Sequence, residues 1–222
     1  MNIVGILKEF VTWFYMLGIV FVISYLIGSI PTGYIVVKLF KGEDIRKIGS
    51  GSTGATNVKR VMGSLWFFIV MLLDAIKGVI PVIAAVFFTV YLAQLRLIHP
   101  FLFNTGILPV LAAIFVILGH SKSVFLEFTG GKSVATGVGT LLALNWITGL
   151  SVAAIWGIIT WISKYVSLGS IIALAIAPFI MWFLKAPIAY VVYAVIAALY
   201  VIFLHRENIK RLISGNENKV RK

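Results

Sequence analysis

The sequence predicts an all-α integral membrane protein of about seven transmembrane helices, with its N-terminus outside and its C-terminus in the cytoplasm. Three observations carry this reading. The 222 residues are 61% hydrophobic and only 12% charged, against about 25% charged in an average soluble chain. The mean hydropathy is +1.07, more apolar surface than a soluble core of this length could hide. The polar residues are also gathered into a few short segments between long apolar runs. Helices are favoured over strands because a helix satisfies its own backbone hydrogen bonds in hydrocarbon.

A spanning helix needs about 20 apolar residues, fewer where the bilayer thins. Expected spans are 10–37, 62–93, 106–119, 134–147, 149–163, 168–184 and 187–204, all within a single polytopic domain, 1–222. The third to fifth are short. The second is long enough to tilt or to begin at the interface. The first reads as a permanent span rather than a cleaved signal. Lys8 and Glu9 cancel, the apolar run from Phe10 is too long, and no small-x-small site follows it.

Fifteen of the 19 Lys and Arg fall in segments 38–61, 120–133, 164–167 and 205–222. Lys8, Arg96 and Lys185 fall on the other side, and Lys77 lies within a span. The positive-inside rule places the four segments in the cytoplasm. Seven spans suit that parity, and so would five. The net charge of +12 is therefore read as topology and affinity for anionic lipid, not as nucleic-acid binding. With no cysteine, disulfides, thiolate metal sites and a cysteine nucleophile are excluded. His99, His120 and His205 lie far apart, and no metal site is expected.

The polar chemistry gathers on one face. The first segment runs from Ile48 through Gly49, Ser50, Gly51, Ser52, Thr53, Gly54, Ala55 and Thr56 to Asn57, with Lys59 and Arg60 beyond it. Glycines let backbone N–H groups turn toward an oxyanion. A helix starting near Thr56 would add its N-terminal dipole. The plain alternative is a flexible loop with an N-cap at Thr56 or Asn57. The second segment holds Gly130, Gly131, Lys132 and Ser133 at the entry of an apolar helix. That is another oxyanion pattern, with Lys132 as point charge; its alternative is a snorkelling lysine. The third, around Ser167, reads as a turn. In the fourth, His205 and Asn208 share a helix face at i, i+3 if helix continues there. Neutral His can accept a proton or orient a hydroxyl near neutral pH. Within the second span, Asp74 and Lys77 are expected to pair in the bundle interior as a structural device. No further ionisable residue nearby is expected to extend them.

Taken together, these segments resemble the bacterial acyl-phosphate:glycerol-3-phosphate acyltransferases, the PlsY-type family. The resemblance runs through Tyr25–Tyr34, Gly49–Asn57, Asp74–Gly78, Gly130–Thr136, Tyr165–Leu168 and His205–Asn208. It implies seven helices in a bacterial plasma membrane and an active site facing the cytoplasm. It implies acyl transfer from acyl phosphate to the sn-1 hydroxyl of glycerol 3-phosphate, giving lysophosphatidic acid and phosphate for phospholipid biosynthesis. No cofactor, metal or acyl-carrier protein is expected. Carried over residue by residue, Ser50, His205 and Asn208 flank the reacting groups. Arg60, Lys132 and Ser167, beside Gly130 and Gly131, hold phosphate, that of glycerol 3-phosphate by preference. Ser52, Thr53, Gly54, Ala55, Thr56 and Asn57 cradle the other. The base is either His205 or a substrate phosphate. Two departures stand out. The family usually has Asn at Ser52, and an aromatic-Pro pair at Lys122–Ser123, which puts the rigidity of that loop, not the reaction, in question. The competing classes are a transporter, which would rest on Asp74 and Lys77, and a lipid-binding scaffold, which would leave both Gly-rich segments unexplained.

Overall fold

The computed structural model describes residues 3–95, 97 and 100–220, without side chains for 3–12 and 100–102. Arg96, His99, Arg221 and Lys222, weighed above, lie outside the described residues. The regular elements are helices: α1 (Ile3–Ser29), α2 (Thr32–Lys41), α3 (Ala55–Met62), α4 (Ser64–Gln94), α5 (Pro100–Thr105), α6 (Ile107–Ser121), α7 (Val134–Leu144), α8 (Trp146–Ser163), α9 (Val166–Phe183), α10 (Ile188–Leu204) and α11 (Arg206–Ile213).

Each expected span has a helix at its place. Four runs, 13–41, 64–94, 146–163 and 166–183, are long and apolar enough to cross a membrane. A fifth is α10 taken with α11, which meets it at a 62° bend. The remaining two, α6 and α7, have 15 and 11 residues. Large apolar side chains such as Phe14, Leu72, Phe87, Trp161, Phe179 and Leu199 point outward along these helices. Exposure on that scale suits lipid, not water.

The first span is not one continuous helix. Helix α1 stops at Ser29, and α2 begins after Pro31. Proline lacks an N–H and disfavours helical backbone at the residue before it. The break leaves carbonyls without helical donors, and distant side chains supply them. Lys77 Nζ donates to the Ile30 carbonyl at 2.7 Å, and Ser123 Oγ donates to that of Ser29. The second span is likewise preceded by a separate helix. Gly63, at φ +92°, divides α3 from α4. The cap of α3 is Gly54, not Thr56 or Asn57.

Small residues let the bundle close. A Cβ on Gly28 would lie 2.2 Å from the Val116 carbonyl oxygen, and one on Gly119 would lie 2.3 Å from that of Tyr25. Helices α1 and α6 therefore touch backbone to backbone. Apolar burial gives no drive within lipid, so such close packing must hold the helices together. Deeper in, the Tyr193 and Thr140 hydroxyls hydrogen-bond between α10 and α7.

The Asp74–Lys77 pair lies in the interior, with Nζ to Oδ1 at 2.8 Å. Thr32, in the first turn of α2, donates its hydroxyl to Asp74. The expectation of no further ionisable partner fails. His120 Nδ1 from α6 faces Asp74 Oδ1 at 3.5 Å. Their separation along the chain hides that approach from a reading of sequence.

Removing one member of this pair strands a buried charge. Lys77→Met is expected to cost about 3–5 kcal/mol of stability, and Asp74→Asn/Lys77→Met to recover part of it. Thermal melts in detergent check this; equal melting points for the wild type and Lys77→Met would show the pair to be dispensable.

Candidate active site

Two loops and two helix junctions meet at one end of the bundle. The first loop joins α2 to α3 and is wound around Asn57, only 1% exposed. Asn57 Oδ1 accepts the Ser50 N–H at 3.1 Å. Its Nδ2 donates to the Ile48 and Ser52 carbonyls, each at 2.9 Å. Gly49 is left-handed at φ +62°, and a Cβ there would lie 2.3 Å from Asn57 Oδ1. The Asn57 amide thus builds the loop instead of facing outward. Ser52 has a local use, its Oγ accepting the Gly54 N–H at 3.3 Å. Ser50 is exposed, and among the described residues no hydrogen bond joins it to His205. The loop delivers the chain into α3, where the Asn57 N–H bonds the Gly54 carbonyl at 3.0 Å and those of Ala55 and Thr56 are the ones a helix start leaves without a helical partner. A cavity of about 340 Å³ opens beside it, lined by Asp44, Arg46, Lys47, Gly51 and Thr129. Arg46 grips Asp44 there at 2.8 Å and holds that carboxyl down to about 2.

The second loop, between α6 and α7, is pinned despite lacking the aromatic-Pro pair. Tyr25 donates to the Lys122 carbonyl at 2.6 Å, and Ser123 reaches Ser29 as described above. Gly131 uses its N–H on the His120 carbonyl at 3.1 Å, so that amide is not free for an anion. Ser133 is left-handed at φ +59° and is anchored by its Oγ on the Ile117 carbonyl at 2.9 Å. This arrangement presents Lys132, whose Nζ donates to Asn208 Oδ1.

His205 stands at the joint of α10 and α11, and is 3% exposed. The helix does not run straight through it, as the i, i+3 reading assumes, but bends by 62°. His205 Nδ1 lies 2.8 Å from the Val201 carbonyl. That contact fixes the proton on Nδ1 and leaves the Nε2 lone pair available. Burial, aided by the nearby Lys132 charge and opposed by the Val201 bond and Glu217, brings His205 down to about 4. It is a neutral imidazole at pH 7.

Glu217, which the sequence leaves unremarked in the basic tail, closes the cluster. Its Oε1 accepts Ser167 Oγ at 2.8 Å and Asn208 Nδ2 at 2.7 Å. Its Oε2 accepts Arg211 Nε at 2.8 Å. The tail is further held by the Val220 N–H on the Lys164 carbonyl at 2.8 Å and by Lys219 over the Tyr165 ring. Burial alone would raise the Glu217 pKa; hydrogen bonds from Asn208, Arg211 and Ser167 outweigh it and lower the value. Lys132 is pushed down to about 8 by burial and by the Arg211 and Arg60 charges, against the pull of Glu217. So the structure joins Lys132, Asn208 and Ser167 through Glu217, and sets Arg60 and His205 within their field.

A family model described as glycerol-3-phosphate acyltransferase matches residues 18–215. The chain belongs to the glycerol-3-phosphate acyltransferase family. A glycerol-3-phosphate acyltransferase of Nostoc sp. (strain PCC 7120 / SAG 25.82 / UTEX 2576) is 46% identical over 212 residues, 94% of this chain and 93% of its own. Glycerol-3-phosphate acyltransferase 2 of Moorella thermoacetica (strain ATCC 39073 / JCM 9320) is 43% identical over 204 residues, covering 90% and 95%. Among solved structures, the integral membrane acyltransferase PlsY (YgiH) in its glycerol 3-phosphate form superposes with a TM-score of 0.80 at 33% identity. That match covers 92% of this chain and 96% of that one. Its lysophosphatidic acid form gives 0.77 at 32% identity, with 92% and 95% covered. This acyltransferase is thus an integral membrane protein, and the family match takes in Arg60, Lys132, Ser167, His205 and Asn208 and stops just short of Glu217.

Sequence reasoning missed His120, Arg211 and Glu217. Only Glu217 left a local trace, as an acidic residue in a strongly basic tail. Its lowered pKa gives the sign of a test. The stabilisation is present above the ordinary carboxylate range and is lost as pH falls through the lower folded value. Glu217→Gln should remove it at pH 7, so that hydrogen exchange in the 213–220 peptide becomes fast. Equal protection in variant and wild type would show that the charge does not hold the tail.

Proposed function

We propose that this single-domain acyltransferase moves a fatty acyl group from acyl phosphate to the sn-1 hydroxyl of glycerol 3-phosphate, giving lysophosphatidic acid and phosphate, at the cytoplasmic face of a bacterial plasma membrane. The observation that carries this reading is the meeting of Lys132, Asn208 and Ser167 beside a neutral, buried His205. The PlsY forms with glycerol 3-phosphate and lysophosphatidic acid support the acceptor and product. The distribution of Lys and Arg supports the side.

Acyl phosphate is a mixed anhydride with a good leaving group, so no covalent enzyme intermediate is needed. The site must bring two anions together and aim one hydroxyl at one carbonyl. Lys132 and Arg60, with Ser167, take the phosphate of glycerol 3-phosphate. The Ser52–Asn57 loop, the start of α3 and the neighbouring Arg46–Lys47 cavity take that of the donor, with Ser50 facing the acyl carbonyl. His205 Nε2 accepts the sn-1 O–H and points its oxygen at the carbonyl. A histidine near 4 holds a proton poorly, so it orients, and the departing phosphate takes the proton. The acyl–phosphate bond breaks as the ester bond forms, and the products are the ester and hydrogen phosphate. Asp74 and Lys77, which a transporter would need as movable charges, are committed to closing the break before α2.

Purified protein given acyl phosphate and glycerol 3-phosphate should form lysophosphatidic acid. No product at any acyl length would end this reading. Lys132→Ala should lose about 2–4 kcal/mol of transition-state stabilisation, as expected for a preorganised charge partner; a wild-type rate would remove its role.

Two further outcomes separate roles. Lys132, at about 8, is charged below that pH and neutral above it. The KM for glycerol 3-phosphate should therefore rise as pH climbs through 8, and Lys132→Arg should delay the rise. For His205, an orienting role predicts that His205→Gln, which keeps a hydrogen-bond acceptor, outperforms His205→Ala at saturating substrates. Equal loss in both would make His205 the base.

A further inference from the structure

The diglycine before Lys132 invites explanation as a place where backbone approaches phosphate. The contacts around it point elsewhere. A Cβ on Gly130 would lie 2.2 Å from the His120 carbonyl oxygen, and one on Gly131 would lie 2.1 Å from His120 Nε2. Both glycines rest on one residue, which also receives the Gly131 N–H. His120 is 6% exposed. Its other ring nitrogen faces Asp74, and Asp74 is tied to Lys77 and Thr32. The imidazole is thus wedged between the buried ion pair and the loop.

We propose that His120 is a positioning residue for catalysis: it forms the floor under Gly130–Gly131 and so sets where the Lys132 ammonium stands. The residue after this floor is Lys132, whose Nζ meets Asn208. A shift of the loop moves the cation relative to Asn208 and His205, and a misplacement of about 1 Å in such a site can cost on the order of a hundredfold. The proposal rests on the reading of Lys132 as a phosphate holder. It adds that glycine is required at 131 because a ring occupies the space, not because a substrate does.

Steric complementation tests it. The variants are Gly131→Ala, His120→Ala, the double variant and Lys132→Met, all purified in detergent, with melting temperature, kcat and the KM for glycerol 3-phosphate as readouts. Gly131→Ala should lower the melting temperature and raise KM by roughly tenfold or more, with a smaller change in kcat. In the double variant the new methyl occupies the space the ring has left. Its melting temperature should recover, and its KM should fall back toward the wild-type value. His120→Ala alone should raise KM. If Gly131→Ala does not fold, recovery of a folded, active double variant supports the floor equally well. A double variant as impaired as Gly131→Ala overturns the proposal, because something other than the ring then excludes the methyl. His120→Ala with a lower melting temperature but an unchanged KM also overturns it, leaving His120 as packing alone. An unchanged KM in Lys132→Met would instead refute the phosphate reading, while the complementation in melting temperature would still decide the floor.

Discussion

Burying a carboxylate and an ammonium in an apolar bundle is costly, and the first helix is built so that neither is stranded. Pro31 interrupts the helix and leaves carbonyls without donors. Lys77 takes that of Ile30, and Asp74 takes the Thr32 hydroxyl from the helix that follows. The pair and the break therefore satisfy each other. Without the break Lys77 would lose its carbonyl, and without the pair the break would leave polar backbone in hydrocarbon. The turn redirects α2 and so brings in the Gly- and Ser-rich loop that follows. On the far side of Asp74 stands His120, and beyond it the loop that ends in Lys132. One buried ion pair thus connects both halves of the candidate site.

The site has an opposite character. It collects cations that repel one another. Lys132 lies in the fields of Arg60 and Arg211, and its lowered pKa reflects that crowding as well as its burial. Glu217 relieves it, holding Arg211 directly and Lys132 through Asn208. Such a cluster is preorganised for an anion, which is what a site for a phosphorylated substrate requires. His205, kept neutral by the same burial, can sit among these cations without adding to the repulsion.

How much of this could be read from the chain depends on how local the cause is. The seven apolar runs were legible because hydrophobicity is summed over one segment, and each run holds a helix. The break at Ile30–Pro31 is hidden by the apolar run that continues through it, and Pro31 is its one local signal. The site's residue types were legible in Ser50–Asn57 and Gly130–Lys132 as composition. Which of them were already committed was not. Asn57 reads as a free amide until the loop is seen wrapped around it, and Gly131 as a free N–H until His120 is beneath it. His120 and Asp74 are 46 positions apart, and the pattern within either helix does not announce that they meet.

The short helices set how far along α4 the loop between them lies. Asp74 lies ten residues inside α4 from Ser64, about 15 Å at 1.5 Å per residue. His120, at the end of α6, meets it there. Thr136, in the first turn of α7, packs on Gly78 further down still. Along that stretch of α4, Leu65, Phe68 and Leu72 face outward, toward acyl tails. The short α6 and α7, of 15 and 11 residues, thus bring a loop against the flank of α4, where longer helices would have carried it past the end. Shortness, as much as residue type, decides what that loop can rest on.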